Sequence, residues 1–327
     1  MTKVRILSSE HVNGLASPAD YVNAVESAYH ERGNGAPADP PSVLPYENES
    51  GVFTHYAGVL PRMGVMGGNM YGYRSDGGGA SSFITPLFDA ESGEPLAIID
   101  GASMNPYKTG AAGAVAVDAL ATSSASTVGI FGSGPQAKAQ LSATATIRDL
   151  TNVTVFSPTR ESRETFATEM NDELSAGVEA VDTSEAAVKD SDIIITATNS
   201  PTPVFDGSLL ETGAHVTAMG QYLPEARELD STTISRSVYV PDLNERALEK
   251  AGAFLQARDD GVVTEEDIHG ELGEVLTGDV TGRLSEDEIT VFDSGGTAIE
   301  TVAAANLVYK RAVQKDIGEI VSFSSVK

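Results

Sequence analysis

A short apolar run leads directly into a glycine-rich turn and then into a helical pattern at residues 127–137, Thr-Val-Gly-Ile-Phe-Gly-Ser-Gly-Pro-Gln-Ala. A strand followed by Gly-x-Gly-x-x-Ala and a helix is typical of the unit of a parallel sheet that binds a dinucleotide. In this pattern Gly132 allows the tight turn, Gly134 lets the backbone approach a pyrophosphate, and Ala137 lets helix and strand pack closely. The N–H groups and dipole of the helix N-terminus favour phosphate. The sequence therefore predicts a dinucleotide site at this turn.

The chain around and after this turn alternates between strand and helix patterns. The predicted strands are residues 128–131, 153–156, 192–197, 215–219 and 238–240, and the predicted helices are residues 136–148 and 162–174. Strands that alternate with helices indicate a doubly wound parallel sheet, so this region is predicted to be a Rossmann domain of the α/β class.

The residues before this region have a different pattern. A helix is predicted from Pro18 to about Gly33, because Ser17 is a good cap and proline fits the first helical turn. Residues 35–50 are predicted to be a loop, since they are rich in proline and asparagine. Four strands are predicted after this loop, at residues 52–56, 64–73, 82–88 and 96–99. Helices are predicted on either side of the Rossmann region, at residues 106–121 and 297–315.

The second strand of the Rossmann region ends without the acidic residue that usually binds the ribose 2′-hydroxyl of NAD. Ser157, Thr159 and Arg160 stand there instead, before Glu161. This small cationic group suits a 2′-phosphate, so NADP is favoured as the cofactor and NAD stays possible. The alternative is that Arg160 is only a solvated residue at the start of a helix.

The charge of the chain is strongly negative. Asp and Glu number 47 and Lys and Arg 21, which gives a net charge of −26. A phosphate backbone or an anionic membrane surface would be repelled, which argues against nucleic-acid and membrane partners. The acidic residues are dispersed, which favours adaptation to high salt over an ordinary acidic protein. There is no cysteine, which excludes disulfides and thiolate metal sites.

The N-terminus lacks the long apolar stretch of a signal peptide, and no apolar run in the chain approaches about 18 residues. A cytoplasmic location is therefore expected. The five histidines show no ligand spacing, so no metal site is predicted.

Several stretches, in the same order along the chain, resemble the ornithine cyclodeaminase/μ-crystallin family. They are Leu87 to Ala97, Lys108-Thr109-Gly110-Ala111-Ala112, the turn at Gly132, Thr196-Ala197-Thr198, Gly213 to Gly220, Arg227-Glu228-Leu229-Asp230 and Phe292-Asp293-Ser294-Gly295-Gly296. The resemblance implies a homodimer and an NAD(P)-dependent oxidoreductase. It implies a Rossmann domain, residues 121–295, inserted into a smaller α+β domain for substrate and dimerisation, residues 1–120 plus 296–327.

The nucleotide motif and the resemblance together predict the residues that bind the cofactor. These are Thr109, Gly132, Ser133, Gly134, Pro135, Gln136, Ser157, Thr159, Arg160, Thr198, Met219, Gly220 and Ser294.

The predicted substrate site departs from the family pattern. The arginine expected after the first helix is missing from residues 39–42, and Asn69, Lys108 and Gln221 stand where the family has lysine, arginine and aspartate. Lys108, Asn69 and Gln221 are therefore the candidate catalytic residues. Asn69 and Gln221 can bind a substrate but are poor proton donors. A lysine at a helix start is unfavourable, so Lys108 implies a nearby anion, either a cofactor phosphate or a substrate carboxylate.

Other side chains in the first region are possible substitutes for the missing groups. Arg62 and Arg74 are alternative cations, and His55, Tyr71 and Tyr73 are alternative proton donors. Each of these also has an ordinary structural interpretation, as a solvated, ion-paired or core residue.

Three functions follow from these observations. The first is hydride transfer between a nicotinamide and a small 2-amino/2-imino acid pair or a cyclic ketimine. The second is ornithine cyclodeaminase, a redox-neutral ammonia lyase that uses bound NAD. The third is a binding protein that keeps the cofactor turn but has lost the chemistry.

Overall fold

The computed structural model describes residues 1–46, 51–74 and 82–324. The chain divides into unit 1, Met1–Lys108 with Thr297–Lys327, and unit 2, Thr109–Gly296. Unit 2 is thus inserted into the sequence of unit 1. The first division falls twelve residues before the expected boundary at 120/121, because it lies inside a helix rather than at its end, and the second falls one residue after 295/296.

The described residues form fourteen strands and eleven α-helices, numbered here in chain order. The strands are β1 Thr2–Leu7, β2 Ser42–Pro45, β3 Gly51–Leu60, β4 Val65–Arg74, β5 Ser82–Asp89, β6 Pro95–Asp100, β7 Thr127–Phe131, β8 Asn152–Phe156, β9 Gly177–Ala180, β10 Ile193–Thr196, β11 His215–Ala218, β12 Ser237–Pro241, β13 Ile289–Asp293 and β14 Glu319–Phe323. The helices are α1 Ser9–Val12, α2 Pro18–Gly33, α3 Asn105–Leu120, α4 Pro135–Thr144, α5 Arg160–Glu173, α6 Ser184–Val188, α7 Ser231–Ser235, α8 Asn244–Lys250, α9 Gly252–Asp259, α10 Leu272–Thr277 and α11 Ala298–Gln314.

Unit 1 is built on a sheet of seven strands in the order β14-β1-β6-β5-β4-β3-β2. Only β1 and β6 run parallel, and the other neighbours are antiparallel. The long helix α11 packs on β3, β4 and β5 and also contacts α2. Alternate residues of β3 are therefore buried, including Val52, Thr54, Tyr56 and Leu60. The opposite face of these strands carries the exposed residues.

The predicted helices and strands of unit 1 are confirmed, and the structure adds elements that were not predicted. Helix α2 begins with Ser17 as its cap, whose Oγ accepts a hydrogen bond from the Asp20 N–H at 3.3 Å. The expectation of a loop throughout residues 35–50 is wrong, since residues 42–45 form β2; residues 47–50 of that loop lie outside the described residues. The strands β1 and β14 were not predicted, and they pair with each other. Edge strands such as β2 form through backbone pairing, which requires no apolar alternation.

Unit 2 contains a second seven-stranded sheet, which is wholly parallel and has the order β12-β13-β11-β10-β7-β8-β9. Two apolar clusters of buried residues pack within this unit. Strands β10, β11 and β13 are buried at every position, as expected for a parallel sheet covered on both faces. The chain order reverses beside β7, so the crevice for a ligand is expected at the carboxyl end of that strand. The predicted doubly wound α/β fold is confirmed.

Strand β11 carries a histidine in this core. His215 is fully buried, and its ring nitrogens lie 2.9 Å from Thr290 Oγ1 and 3.0 Å from Thr217 Oγ1. Burial, together with the positive charges of Arg283 and Arg148, lowers the pKa of His215 to about 3. Between about pH 3 and pH 6.5 the ring is thus neutral in the folded protein and protonated in the unfolded chain.

This histidine predicts a defined pH dependence of stability. Below about pH 6.5 the unfolded state binds one more proton than the folded state, so the free energy of unfolding falls by about 1.4 kcal/mol per pH unit down to pH 3. Chemical denaturation of wild type and His215→Gln across this range measures the difference in slope. The two slopes should coincide between pH 7 and 8. Equal slopes below pH 6 would contradict the assignment.

Candidate active site

The glycine-rich turn lies between β7 and α4. Gly132 has a φ of +106°, and a Cβ there would lie 2.4 Å from the carbonyl oxygen of Ala197, so the turn excludes any side chain. Gly134 caps α4, yet a Cβ at Gly134 would meet nothing within 4 Å. The protein itself thus leaves open space over Gly134. Pro135 fits the first position of the helix, because the N–H that proline lacks would have no partner within the helix there. This geometry fits a phosphate-bearing ligand at the N-terminus of α4.

The end of β8 lies beside this turn. The hydroxyl oxygens of Ser133 and Ser157 are 3.2 Å apart, and the Ser157 hydroxyl donates to the backbone oxygen of Thr159. The Arg160 side chain is 78% exposed and pairs with Glu164 in the next helical turn. A recess of about 310 Å³ next to Ser133 is lined by Lys138, Glu161, Ser162, Thr165 and Phe166.

Sequence reasoning missed the residue that fixes the end of β8. Arg163 is buried, donates to the Ser157 carbonyl at 3.0 Å and pairs with Asp182. The sequence signal for this role was the position of Arg163, one helical turn after Thr159 at the start of α5. The structure thus brings Ser133 and Ser157 together and leaves Arg160 at the surface.

The loops after β10 and β11 also lie at the carboxyl edge of the parallel sheet. Thr198 follows β10, and Met219, Gly220 and Gln221 follow β11. A Cβ at Gly220 would lie 2.3 Å from the Thr198 carbonyl oxygen, so the two loops touch. The Gln221 side-chain amide donates to the carbonyl of Ser200 at 2.8 Å.

Strands β12 and β13 end in a buried ionic cluster. The Asp242 carboxylate accepts hydrogen bonds from Ser294 Oγ at 2.8 Å and from the Gly295 N–H at 3.0 Å. Arg246 is almost fully buried and pairs with both Asp242 and Asp293. Burial raises the pKa of Asp293, while Arg246 acts in the opposite direction. Sequence reasoning missed this cluster, although Asp242 directly follows a strand at the binding edge of the sheet.

In unit 1, Lys108 lies in the first turn of α3 and is buried. Its Nζ is 3.3 Å from Glu300 Oε2, and the Tyr29 hydroxyl donates to Glu300 Oε1 at 2.7 Å. The side chains of Lys108 and Glu300 are 3% and 0% exposed. The expected anion beside Lys108 is therefore present, but it is a carboxylate of the protein itself. A cofactor phosphate or a substrate carboxylate is not required to explain the position of this lysine.

Asn69 is also buried in unit 1. Its side-chain amide donates to the Tyr56 hydroxyl at 3.1 Å and accepts from Thr85 Oγ1 at 2.7 Å, which joins three neighbouring strands. A Cβ at Gly101 would lie 2.9 Å from Asn69 Oδ1. This arrangement holds the amide in one position and supplies no titratable proton.

The other candidates of the first region are spread over the sheet. Tyr71 packs against Phe83 with ring centroids 4.6 Å apart and against Tyr73 at 6.0 Å. His55 lies on the opposite face of β3, next to Phe53, and Arg62 and Arg74 are exposed. The catalytic roles of Lys108, Asn69 and Gln221 stay predictions, as do the cofactor contacts of Thr109 and of the other residues predicted to bind the cofactor.

A parallel sheet with a glycine turn at its switch point and a helix N-terminus over open space defines a dinucleotide-binding protein of the Rossmann class. The sequence model of the ornithine cyclodeaminase/mu-crystallin family matches residues 2–316, so the chain belongs to that family. The predicted family is confirmed.

Individual relatives share most of their length with this chain. Delta(1)-pyrroline-2-carboxylate reductase of Bacillus cereus is 35% identical over 241 residues, which are 73% of this chain and 74% of that protein. The structure of Thermococcus litoralis Delta(1)-pyrroline-2-carboxylate reductase in complex with NADH and L-proline is 31% identical, with a TM-score of 0.91, and covers 97% of this chain and 100% of its own. An archaeal alanine dehydrogenase dimer with bound NAD is 31% identical, with a TM-score of 0.91 and coverage of 99% and 100%.

The two related structures hold NADH and NAD, in agreement with the nicotinamide-dependent oxidoreductase that the resemblance implied. Within the described parts of the chain, no helix is both long and apolar enough to cross a bilayer, and no three His, Asp or Glu side chains are grouped as metal ligands.

The buried pair of Lys108 and Glu300 predicts a large stability effect. Lys108→Met leaves the Glu300 carboxylate buried without this cation, so the free energy of unfolding should fall by about 3–5 kcal/mol. Lys138→Met is the matched control, because the pair of Lys138 and Glu169 is largely exposed and is worth at most about 1 kcal/mol. Urea denaturation measures both variants, and equal effects would contradict a buried ion pair at Lys108.

Proposed function

We propose that this protein is an NAD(P)-dependent reductase of a small 2-imino acid or a cyclic ketimine, which in reverse acts as an amino-acid dehydrogenase. The turn at Gly132, at the switch point of the sheet, is the single observation that carries the proposal. The full-length similarity to a reductase bound to NADH and L-proline supports the substrate class. The reaction moves a hydride from the dihydronicotinamide to the imine carbon, and the amine nitrogen keeps or gains a proton.

The residues of unit 2 would hold the cofactor in three places. Residues 132–136 would bind the pyrophosphate through backbone N–H groups and the dipole of α4. Ser157, Thr159 and Arg160 would bind the adenosine ribose, and Thr198, Met219, Gly220 and Ser294 would line the nicotinamide side. The nicotinamide supplies the hydride when it is bound.

The proposed catalytic residues are Lys108 and Asn69 of unit 1 and Gln221 of unit 2. Asn69 is fixed by Tyr56 and Thr85, so its role would be to orient a polar group of the substrate. Because Lys108 is paired with Glu300, the carboxylate of Glu300 would partly neutralise the positive charge that Lys108 offers to a substrate. Neither amide can protonate an imine, so the substrate is expected to bind as the iminium ion.

The first test is consumption of NADPH and NADH with pyrroline-2-carboxylate, and with small 2-oxo acids plus ammonia. We expect turnover, and higher activity in molar KCl than at low salt, because screening relieves the repulsion of a net charge of −26. Calorimetry that detects no nicotinamide binding in high salt would refute the proposal. Ammonia and proline formed from ornithine without added acceptor would indicate the cyclodeaminase instead, and cofactor binding without any turnover would indicate the binding protein.

We further propose that the cofactor is NADP. The support is the absence of an acidic residue at the end of β8 and the presence of Arg160 on the first turn of α5. Arg160→Ala should raise the KM for NADPH about tenfold, equivalent to one lost charged contact, and change the KM for NADH less than about twofold. Arg258→Ala, at another partly exposed ion pair of unit 2, is the control. An unchanged KM for both cofactors would favour the solvated role of Arg160, and an equal rise for both would contradict recognition of a 2′-phosphate.

We also propose that the protein is a homodimer that associates through the open face of the unit 1 sheet. Leu44 lies opposite Phe53, and Met70 lies between His55 and Ile84, so apolar side chains line this face across four strands. Phe53, Met70 and Ile84 are 39%, 42% and 54% exposed. An apolar cavity of about 520 Å³ opens on the same face, lined in part by Val59, Met66, Met70, Pro86 and Phe88. The related alanine dehydrogenase is a dimer.

A single charge on this face tests the dimer. Met70→Asp should convert the dimer to a monomer in sedimentation equilibrium, because a carboxylate would be buried without a partner. Val262→Asp is the control, since Val262 is similarly exposed but lies in unit 2. A monomeric wild type, or a dimeric Met70→Asp variant, would contradict the proposal.

A further inference from the structure

Glu228 is a buried carboxylate that the proposed reaction does not use. Its side chain is 2% exposed. Oε1 accepts a hydrogen bond from the Thr198 N–H at 2.7 Å, and Oε2 accepts from the Gly220 N–H at 2.7 Å and from Thr196 Oγ1 at 3.0 Å. A single side chain therefore receives three donors from two different segments of the chain.

Those two segments are the ends of neighbouring parallel strands. Thr196 is the last residue of β10, and Thr198 lies just after it. Gly220 follows β11, which pairs with β10. A Cβ at Gly220 would lie 2.5 Å from Glu228 Oε1, so the carboxylate is wedged directly against the backbone. Burial raises the pKa of Glu228, and the hydrogen bonds from Thr198, Gly220 and Thr196 act in the opposite direction. The donors thus compensate part of the cost of burying the carboxylate.

These loops also carry four residues assigned to the site: Thr198, Met219, Gly220 and Gln221. We propose that Glu228 is a positioning residue that sets the spacing of the two loops and thereby the shape of the nicotinamide side of the cofactor site. This inference rests on the proposed function. Glu228 itself contacts backbone and a threonine hydroxyl, so it acts through the loops rather than on the reacting atoms.

The isosteric substitution Glu228→Gln tests the proposal. An amide has one acceptor oxygen, and its NH₂ group would face an N–H donor, so at least one loop loses its anchor. We expect the Kd for NADPH and NADH to rise about tenfold, measured by cofactor fluorescence on folded protein, with a parallel rise in the KM for the cofactor. A residue that serves stability alone would not change these values at a temperature where the variant is fully folded.

Asp192 provides a matched control within the same sheet. Its carboxylate accepts from the N–H groups of Ser126 and Thr127 and from Thr127 Oγ1, at 2.8, 2.9 and 2.8 Å. It thus also receives three donors, in this case all from one segment, which it ties to its own. It does so at the amino ends of β7 and β10, the edge opposite to the glycine turn. Asp192→Asn should lower the melting temperature and leave the cofactor Kd within about twofold of wild type.

A milder variant covers the case in which Glu228→Gln fails to fold. Thr196→Val keeps the backbone bonds and removes one donor, and it should raise the cofactor Kd about threefold. Cofactor affinity within twofold of wild type in Glu228→Gln, or in Thr196→Val if that is the only folded variant, would overturn the role of Glu228 while leaving the proposed function intact. A wild type that binds no nicotinamide cofactor would overturn the proposed function and this inference together.

Discussion

Buried carboxylates hold the loops at the carboxyl edge of the parallel sheet in unit 2. Glu228 joins the ends of β10 and β11, and Asp242 joins the loops that follow β12 and β13. Each carboxylate receives several hydrogen bonds, because a buried charge is tolerated only when its oxygens are satisfied. Loops at this edge have no sheet partners of their own, so their geometry depends on such side chains. A binding site built on them inherits that geometry.

Backbone contact imposes the second constraint on this edge. A Cβ at Gly132 would collide with the carbonyl of Ala197, and a Cβ at Gly220 would collide with the carbonyl of Thr198. Gly134 differs, since a side chain there would point into open space. Two glycines are thus explained by the fold, and the third is accounted for only by the proposed dinucleotide. This contrast is a stronger indication of function than the glycine pattern alone.

Much of this architecture was predictable, and the failures have a common cause. Strands β7 and β8 and the cap of α2 follow from patterns within a few residues. The edge strands β2 and β14 do not, because they depend on backbone pairing rather than on apolar periodicity. β2 pairs with the next strand, β3, and β14 pairs with β1 at the other end of the chain. The anion beside Lys108 was anticipated from helix electrostatics, but its source, Glu300, lies 192 residues away. A sequence shows that such a charge needs a partner without showing which residue supplies it.

The sequence by itself determined the class of the fold, the position of the nucleotide turn and the family, because these reside in contiguous motifs and in hydrophobic periodicity. Only the tertiary structure decided which polar residues are buried together. It placed Asn69 between Tyr56 and Thr85, Lys108 against Glu300, and Glu228 between two loops. The physical reason is that the energy of a buried polar group depends on partners brought from remote parts of the chain.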